Sequence, residues 1–361
     1  MRRRKTRTVM LGGIPIGSGH PIPIQSMTKT DTRDAVATIG QIRRLMHIGC
    51  DIVRVAVPDL EAAEALAVIR EHVSVPLVAD IHFNYRLALR AIQHGVNGLR
   101  INPGNIGSRA NVEKVVATAA AARVPLRIGV NSGSIEKEFT GSIEGTGKKL
   151  AETTARAMVS SALKHIRILE KLDFREIKVS LKATDVQTTL LAHQYLAKEC
   201  DYPFHIGITE AGTLLTGAVK SSVGIALLLS RGYGDTVRVS LSAPPEREVM
   251  VARNILRSLG LREDGAEVIS CPTCGRCTIN IEEIAAEVEQ RLAGVKKPIT
   301  VAVMGCAVNG PGEAARADYG VAGGRGEGVI FRHGKVVCKN VDESNIIDAL
   351  LSQIEELKEA D

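Results

Sequence analysis

Short runs of alternating apolar and polar residues recur between residues 25 and 242 of this 361-residue chain. Stretches rich in Ala, Leu and Arg separate them, with apolar residues at helical spacing. Strands that alternate with helices in this way are typical of a parallel sheet. The eight predicted strands are residues 25–30, 51–57, 76–83, 98–103, 125–132, 176–183, 203–209 and 235–242.

Eight strand–helix units predict a (β/α)8 TIM barrel, in which helices surround a closed ring of strands. A doubly wound sheet is the alternative, but no G-x-G-x-x-G follows the first strand. The alternation within strands also favours the barrel. Residues 177, 179 and 181 are apolar, whereas residues 178, 180 and 182 are polar. Helices cover both faces of a doubly wound sheet, so its strands would be apolar throughout. We therefore expect the polar face to point into the barrel.

The sequence changes character after a helix predicted at 245–260 and a polar linker, LREDGAE. The remaining residues contain a cysteine cluster, a helix at 281–293, the strand ITVAVMG, a Gly-rich stretch at 310–328, two short strands and a terminal helix at 342–359. We expect an α/β protein with two domains. Residues 1–262 form the substrate-binding TIM barrel, with a tail and cap at residues 1–24, and residues 263–361 form a smaller α+β domain.

The formal net charge of +6 comes mainly from the first seven residues, five of which are Arg or Lys. Because the rest of the chain is nearly neutral, the pattern predicts a solvated basic tail rather than a nucleic-acid-binding face. No apolar run approaches the ~18 residues of a membrane helix. Residues 9–19 are too rich in Gly and Pro for a signal peptide. We expect a cytoplasmic protein that binds neither nucleic acid nor a membrane.

Four of the seven cysteines lie between residues 271 and 306. Cys271, Cys274 and Cys277 form a C-x2-C-x2-C run, and Cys306 follows within GCAVNGPGE. Without a signal peptide, this clustering predicts metal or redox chemistry rather than a disulfide framework. The spacing favours an iron–sulfur cluster. A structural zinc site and unligated thiols are the alternatives.

Basic residues recur on the polar faces of the predicted barrel strands. Active sites of TIM barrels lie at the C-terminal ends of the strands, and guanidinium groups bind phosphate in bidentate fashion. The pattern therefore predicts a site for a phosphate-rich ligand. The candidate cations are Arg54, Arg100, Arg127, Lys178, Lys182 and Arg238. The polar candidates for substrate binding are Asp80, Asn102, Asn131, Ser180 and Ser240. The candidates for proton transfer are Asp80, His82 and Glu210, whereas a lone histidine such as His82 or His205 is more often structural.

Eight motifs together resemble the 4-hydroxy-3-methylbut-2-enyl diphosphate synthase family in its bacterial two-domain form. They are SMTKTDT, VADIHFNYRLAL, LRINPGNIG, RIGVNSGS, ITEAG, GDTVRVSLS, SCPTCGR and GCAVNGPGE. The resemblance spans residues 7 to 350. It implies an oxidoreductase of the non-mevalonate isoprenoid pathway that opens 2-C-methyl-D-erythritol 2,4-cyclodiphosphate with two electrons and expels a hydroxyl as water. It also implies flavodoxin or ferredoxin as the electron donor.

The resemblance further implies a [4Fe-4S] cluster held by Cys271, Cys274, Cys306 and Glu313, with Cys277 outside the ligand set. A weak, exchangeable Glu313 would open one iron to the substrate oxygen, which gives this residue a catalytic role. Loss of the hydroxyl requires an acid. Glu210 is our first candidate for that acid and His82 the second.

Chain geometry predicts a homodimer with active sites shared between chains. The helix at 245–260 descends toward the bottom of the barrel, and a seven-residue linker reaches at most ~25 Å. That reach is too short to return the cluster domain to its own barrel mouth, so a two-fold related partner must supply it. The resemblance implies the same arrangement.

The alternative function is a TIM-barrel lyase or aldolase for a phosphorylated substrate, with a structural zinc module.

Overall fold

The computed structural model describes residues 2–277, 279–306, 312, 314–324 and 326–354. The chain forms two compact units, Met1–Arg262 and Glu263–Asp361. Each unit has its own hydrophobic core. Among the helices of these described ranges, none is long and apolar enough to span a bilayer.

The first unit begins with an antiparallel hairpin of strands β1 (Val9–Leu11) and β2 (Ile14–Ile16). Its buried side chains Leu11 and Ile16 pack against Ile52 and Val78, which lie near the starts of two barrel strands. The hairpin therefore covers the N-terminal end of the barrel.

Eight parallel strands form the barrel. They are β3 (Gln25–Met27), β4 (Ile52–Ala56), β5 (Leu77–Asp80), β6 (Gly98–Arg100), β7 (Leu126–Asn131), β8 (Ile177–Lys182), β9 (His205–Ile206) and β10 (Thr236–Val237). β3 to β8 make one six-stranded sheet in chain order, and β9 pairs with β10. Two parallel bridges, Val179 to Phe204 and Ile24 to Val237, join the pair to the edges of the sheet. The ring is closed, so the predicted (β/α)8 barrel is confirmed.

Helices surround this ring. They are α1 (Ala35–His47), α2 (Leu60–His72), α3 (Tyr85–Gln93), α4 (Arg109–Ala121), α5 (Lys137–Thr140), α6 (Gly147–Glu170), α7 (Val186–Leu196), α8 (Leu214–Ser230) and α9 (Pro245–Ser258). Local sequence sets several of their starts. Asp34, Asp59 and Asp185 each accept a hydrogen bond from a first-turn backbone N–H of α1, α2 and α7. Such side-chain caps satisfy donors that have no partner within the helix.

The prediction of a solvated basic tail is wrong, because Arg3, Arg4 and Arg7 bind the barrel. Arg3 forms an ion pair with the buried Asp235. Arg4 donates to the carbonyl oxygens of Cys200 and Tyr202, both at 2.6 Å. Its guanidinium also lies 4.1 Å from the centroid of the Phe204 ring. The tail therefore neutralises the charge of Asp235 and covers the segments that lead into β9 and β10.

The second unit is a mixed five-stranded sheet with helices α10 (Ile281–Arg291) and α11 (Ile346–Ser352) on one face. The strands, in sheet order, are β11 (Ala266–Ser270), β12 (Ile299–Met304), β13 (Tyr319–Gly323), β14 (Glu327–Arg332) and β15 (Lys335–Asp342). The first three are parallel, and the last two are antiparallel to their neighbours. Strands β11 and β13 were not predicted, since polar and Gly-rich residues obscure their alternation. The terminal helix ends at Ser352, within the predicted range.

We expect Arg4→Ala to destabilise the first unit, because it removes two hydrogen bonds from a cation and one cation–π contact. Hydrogen bonds to charged groups contribute ~1.5–3 kcal/mol each, and cation–π contacts ~0.5–1 kcal/mol. Urea unfolding should show a loss of at least ~2 kcal/mol. Lys5→Ala, at an exposed position of the same tail, is the matched control. Equal stability of the two variants would contradict the docked tail.

Candidate active site

Six cationic side chains, from four barrel strands and from the residue after a fifth, converge inside the barrel. The structure brings together Arg54, Arg100, Arg127, Lys178, Lys182 and Arg238. Adjacent strands place Asp80, Arg100, Arg127 and Lys178 opposite one another in register. Among the described residues, two carboxylates, Asp80 and Glu248, lie with these six cations. The interior therefore carries an excess of positive charge.

Asp80 is the first of these two carboxylates. Its oxygens lie 3.8 Å from Arg54 Nε and 3.5 Å from Arg100 Nη1. Burial alone would raise the pKa of this carboxyl group, but Arg54, His82 and Arg100 together lower it below its usual range. Asp80 is therefore an ionised counter-charge that orients two guanidinium groups, and it holds no proton to give to a substrate.

Arg127 has donors without partners, although its side chain is buried from solvent. It is 3% exposed, and its Nη1 donates to Ser180 Oγ at 2.8 Å. Its Nε and Nη2 have no hydrogen-bond partner within the described part of the chain. Burial, then Arg54 and Arg100, lower its pKa. Unpartnered buried donors of this kind are costly unless an acceptor is supplied. An anionic ligand would supply it.

Lys178 stands beside Arg127 on the next strand. Burial, followed by repulsion from Arg127, lowers the pKa of its ammonium group to about 7. Near neutral pH this group therefore populates both its charged and its neutral form, and a phosphate next to it would favour the charged form.

Glu248, the second carboxylate, was missed by the sequence analysis. It lies on α9 and is 2% exposed. Its carboxylate lies 3.6 Å from Arg238 Nη2 and 3.3 Å from Lys29 Nζ, and it accepts a hydrogen bond from the Leu241 backbone N–H at 3.0 Å. The available signal was a glutamate on the apolar face of a helix, next to Val249 and in line with Ala252.

The predicted proton-transfer residues have different surroundings. His82 Nδ1 lies 3.0 Å from Arg100 Nη1, and its Nε2 lies 3.6 Å from an oxygen of Asp80. Glu210 is exposed in the loop after β9 and has a φ of 50°, in the left-handed region that is rare for a residue with a side chain. Strained backbone of this kind clusters at functional loops. Glu313 lies outside the described residues.

The polar candidates for substrate binding also differ in their surroundings: some are bound within the barrel and others are partly exposed. Both ends of the Asn102 amide bind the backbone of Gly129 at 3.0 Å, so this side chain fixes one strand to the next. Ser180 is engaged with Arg127. Asn131 and Ser240 are partly exposed, at the end of β7 and just after β10 respectively. His205 is completely buried against Lys182.

In the second unit, three cysteines follow the ends of two neighbouring strands. Cys271 follows β11, and its Sγ accepts a hydrogen bond from the Gly305 N–H at 3.3 Å. Cys306 is the residue after Gly305, while Cys274 is exposed. Within the described ranges, no group of three metal-binding side chains is close enough to hold an ion. Thiols near strand ends with a backbone N–H directed at sulfur nevertheless fit the chemistry of an iron–sulfur site.

Cys277 is placed differently from the other thiols of its run. Its Sγ donates to the Ile279 carbonyl oxygen at 3.2 Å, while its side chain, like that of Cys271, packs against the core of this unit. A Cβ at Gly305 would lie 2.6 Å from this sulfur, so glycine is needed for the two segments to approach. The Cys277 thiol therefore already has a hydrogen-bond partner within the second unit.

We expect Lys178→Met to stabilise the protein in the absence of ligand at neutral pH. The pKa of Lys178 is about 7 in the folded protein, whereas the ordinary pKa of a lysine is 10.5. Between these pH values the unfolded chain binds the additional proton, so stability rises with pH across this window. The variant should raise the Tm at pH 7 and flatten that rise. Lys198→Met, on the surface of the barrel, should do neither. A lower Tm for Lys178→Met at pH 7 would contradict the buried ammonium.

Comparison with known proteins agrees with this architecture. The GcpE TIM-barrel domain matches residues 6–253, and the GcpE protein C-terminal domain matches residues 267–356. The chain is 54% identical over 355 residues to the 4-hydroxy-3-methylbut-2-en-1-yl diphosphate synthase (flavodoxin) of Geobacter sulfurreducens, covering 98% of each protein. It is 54% identical over 359 residues to the protein of that name from Geobacillus thermodenitrificans, covering 99% of this chain and 94% of that protein.

Among solved structures, a Plasmodium falciparum HPPK-DHPS chain is similar in fold alone. Its TM-score is 0.51 at 8% sequence identity, covering 71% of this chain and 50% of that chain. Two family domains matched in order, together with full-length relatives above half identity, identify the chain: it belongs to the GcpE family.

Proposed function

We propose that this protein is a 4-hydroxy-3-methylbut-2-enyl diphosphate synthase, which reduces 2-C-methyl-D-erythritol 2,4-cyclodiphosphate to (E)-4-hydroxy-3-methylbut-2-enyl diphosphate. The reaction takes up two electrons and two protons, breaks one carbon–oxygen bond of the cyclic diphosphate and releases the hydroxyl as water. The observation that carries the proposal is the buried cationic interior, with unpartnered nitrogens on Arg127, in a chain of this family. The aldolase with a zinc module is not favoured by the relatives.

The barrel residues bind and orient this substrate in the proposed mechanism. Arg127, Lys178 and Arg100 would hold the diphosphate, since each is a buried basic side chain and Arg127 has two nitrogens without partners among the described residues. Asp80 keeps Arg54 and Arg100 in place, and Glu248 does the same for Arg238. Water is excluded because these groups are buried, which strengthens each charge–charge contact. His82 and Glu210 are the groups near the barrel mouth that could give a proton to the departing hydroxyl.

We further propose a [4Fe-4S] cluster held by Cys271, Cys274, Cys306 and Glu313. When bound, such a cluster supplies electrons one at a time, from reduced flavodoxin as in the relatives' name, or from ferredoxin. The Gly305 N–H bound to Cys271 Sγ supports this assignment, since backbone donors to ligating sulfurs adjust the potential of such clusters. The engagement of Cys277 with Ile279 supports its exclusion from the ligand set.

We propose that the protein is a homodimer in which the cluster of one chain serves the barrel of the other. Arg262 forms an ion pair at 2.7 Å with Asp51, which lies just before β4 at the N-terminal end of the barrel. Only residues 263–265 then remain before β11, and three residues reach ~10 Å. Active sites of TIM barrels open at the opposite end. The cluster of a two-fold related second subunit would serve that open end, which the linker is too short to let the chain's own cluster reach.

We also propose the cytoplasm as the location of this protein.

Turnover of the cyclic diphosphate tests the function directly. Anaerobically purified protein, with reduced flavodoxin, should form the allylic diphosphate, detected by mass spectrometry. Arg127→Ala should weaken substrate binding by about 10- to 100-fold, the equivalent of one charge-assisted hydrogen bond or more. Arg109→Ala, which removes an exposed arginine of α4, is the control. Absence of product from fully iron-loaded protein would reject the proposed function.

Iron content tests the ligand set. We expect Cys274→Ser to lose most of its iron and its brown colour, because a thiolate ligand is removed. Cys277→Ser should retain both, because this thiol is bound to a carbonyl oxygen. Equal iron loss in the two variants would refute the assignment.

Mixed dimers test the shared site. At a substrate concentration far below the KM of Arg127→Ala, a chain with Arg127→Ala and a chain with Cys306→Ser should each show little activity alone. Co-expression should restore activity, because one of the two sites in a mixed dimer has both an intact barrel and an intact cluster. If mixed dimers form, as shown with two affinity tags, and remain inactive, the shared-site arrangement is wrong.

A further inference from the structure

Three side chains on neighbouring strands form a chain of polar contacts inside the barrel. Lys182 Nζ lies 3.2 Å from His205 Nε2, and His205 Nδ1 lies 2.7 Å from Thr236 Oγ1. Strand pairing sets this arrangement, because His205 and Thr236 are register partners on β9 and β10. All three residues are buried, with His205 and Thr236 at 0% exposure.

The chemistry of these groups fixes the direction of the chain. Burial, followed by repulsion from Arg238, lowers the pKa of Lys182, and a phosphate bound beside it would favour the charged form. In that form the ammonium group only donates, so His205 Nε2 accepts from Lys182. A neutral imidazole that accepts at Nε2 carries its proton on Nδ1, which then donates to Thr236 Oγ1. Burial, followed by repulsion from Lys182 and Arg127, lowers the pKa of His205 well below its ordinary value. The imidazole therefore remains a neutral acceptor.

The position of Lys182 depends on this acceptor. Within the described part of the chain, the contact with His205 is the one hydrogen bond of its ammonium group. A Cβ at Gly207 would lie 2.1 Å from the Arg238 carbonyl oxygen and 3.2 Å from Lys182 Nζ. Glycine at this position therefore leaves room for the Arg238 backbone and for the Lys182 ammonium group.

We propose that His205 is a positioning residue, whose neutral imidazole directs the Lys182 ammonium group toward a phosphate of the substrate. This inference rests on the proposed function. It gives His205 a role other than proton transfer, because the ring is completely buried and both of its nitrogens already contact Lys182 and Thr236.

The decisive variants are His205→Phe, which keeps a ring but removes the acceptor, and His205→Gln, whose amide oxygen can accept from Lys182. Inorganic pyrophosphate is the binding probe, measured by calorimetry on the holoenzyme. His205→Phe should raise the Kd for pyrophosphate and the KM for the cyclic diphosphate on the order of 10-fold, the equivalent of one lost hydrogen bond to a charged group. His205→Gln should recover most of that loss.

A pH profile separates positioning from general stability. The charged groups facing Lys182 are Arg238, Arg127, Arg54 and Glu248, and Lys178 also faces His205. These groups are the same in every variant. Loss of the acceptor in His205→Phe should therefore move the alkaline limit of pyrophosphate binding to lower pH, whereas His205→Gln should leave it near that of the wild type.

His193→Phe is the matched control, because His193 is also completely buried and neutral but lies on α7, where its Nδ1 contacts the Thr189 carbonyl oxygen. It should lower the Tm without changing the Kd or the pH profile. If His205→Phe does not fold, Thr236→Val tests the same chain by removing the acceptor of the Nδ1 proton, and it should also raise the Kd.

Equal losses in the Phe and Gln variants, or an unchanged Kd and pH profile in His205→Phe, would overturn the proposal. So would an unchanged Kd in Thr236→Val where the Phe variant cannot be purified. Failure of the wild type to convert the cyclic diphosphate would instead reject the proposed function, since pyrophosphate binding reports on Lys182 whatever the natural substrate.

Discussion

The confinement of six cations with two carboxylates inside one barrel is the constraint on which this protein depends. Removing a charge from water is costly unless a counter-charge replaces the lost hydration. Asp80 and Glu248 provide only part of that replacement, and Arg127 keeps unpartnered donors in the described structure. The interior is therefore less stable alone than with an anion bound. A ligand that binds the folded chain and supplies negative charge stabilises it by mass action.

This constraint explains where the fold places its reinforcing contacts. β9 and β10 are two residues each and meet the rest of the barrel through single bridges, yet they carry His205 and precede Arg238. The N-terminal arginines reinforce this weak part of the ring from the outside. Arg3 binds Asp235, and the other carboxylate oxygen of Asp235 accepts from the Phe204 N–H. A segment remote in sequence thus helps to hold the strands that complete the cationic interior.

In the proposed function, the barrel binds the substrate through its charges and the second unit holds the cluster that supplies electrons. The barrel is suited to binding a diphosphate, because its functional groups are rigid cations on strands. The second unit has thiols near the ends of β11 and β12, and the sulfur of Cys271 accepts a hydrogen bond from a backbone N–H. The proposed reaction requires that a barrel and a cluster act on the same substrate molecule. The reach of the linker therefore bears on whether they come from one chain or from two.

The sequence by itself determined the class of fold, the family and most of the residues that converge. Alternation at residues 177–182 predicted a polar barrel interior because side chains of a strand alternate between faces. The family motifs, later matched by both GcpE domains, indicated the activity. The roles of Glu210, His82 and the cysteines stay predictions.

Tertiary structure decided the partners. Arg3 and Asp235 are 232 positions apart, and no local pattern distinguishes a docked arginine from a solvated one. Glu248 was hidden on a helix for the same reason, since its role depends on its contacts with Arg238 and Lys29. Hydrophobic periodicity records which face of an element is buried. The energy of a buried charge instead depends on groups that the closed barrel brings within about 4 Å, where charge–charge interaction is strong in a low-dielectric interior.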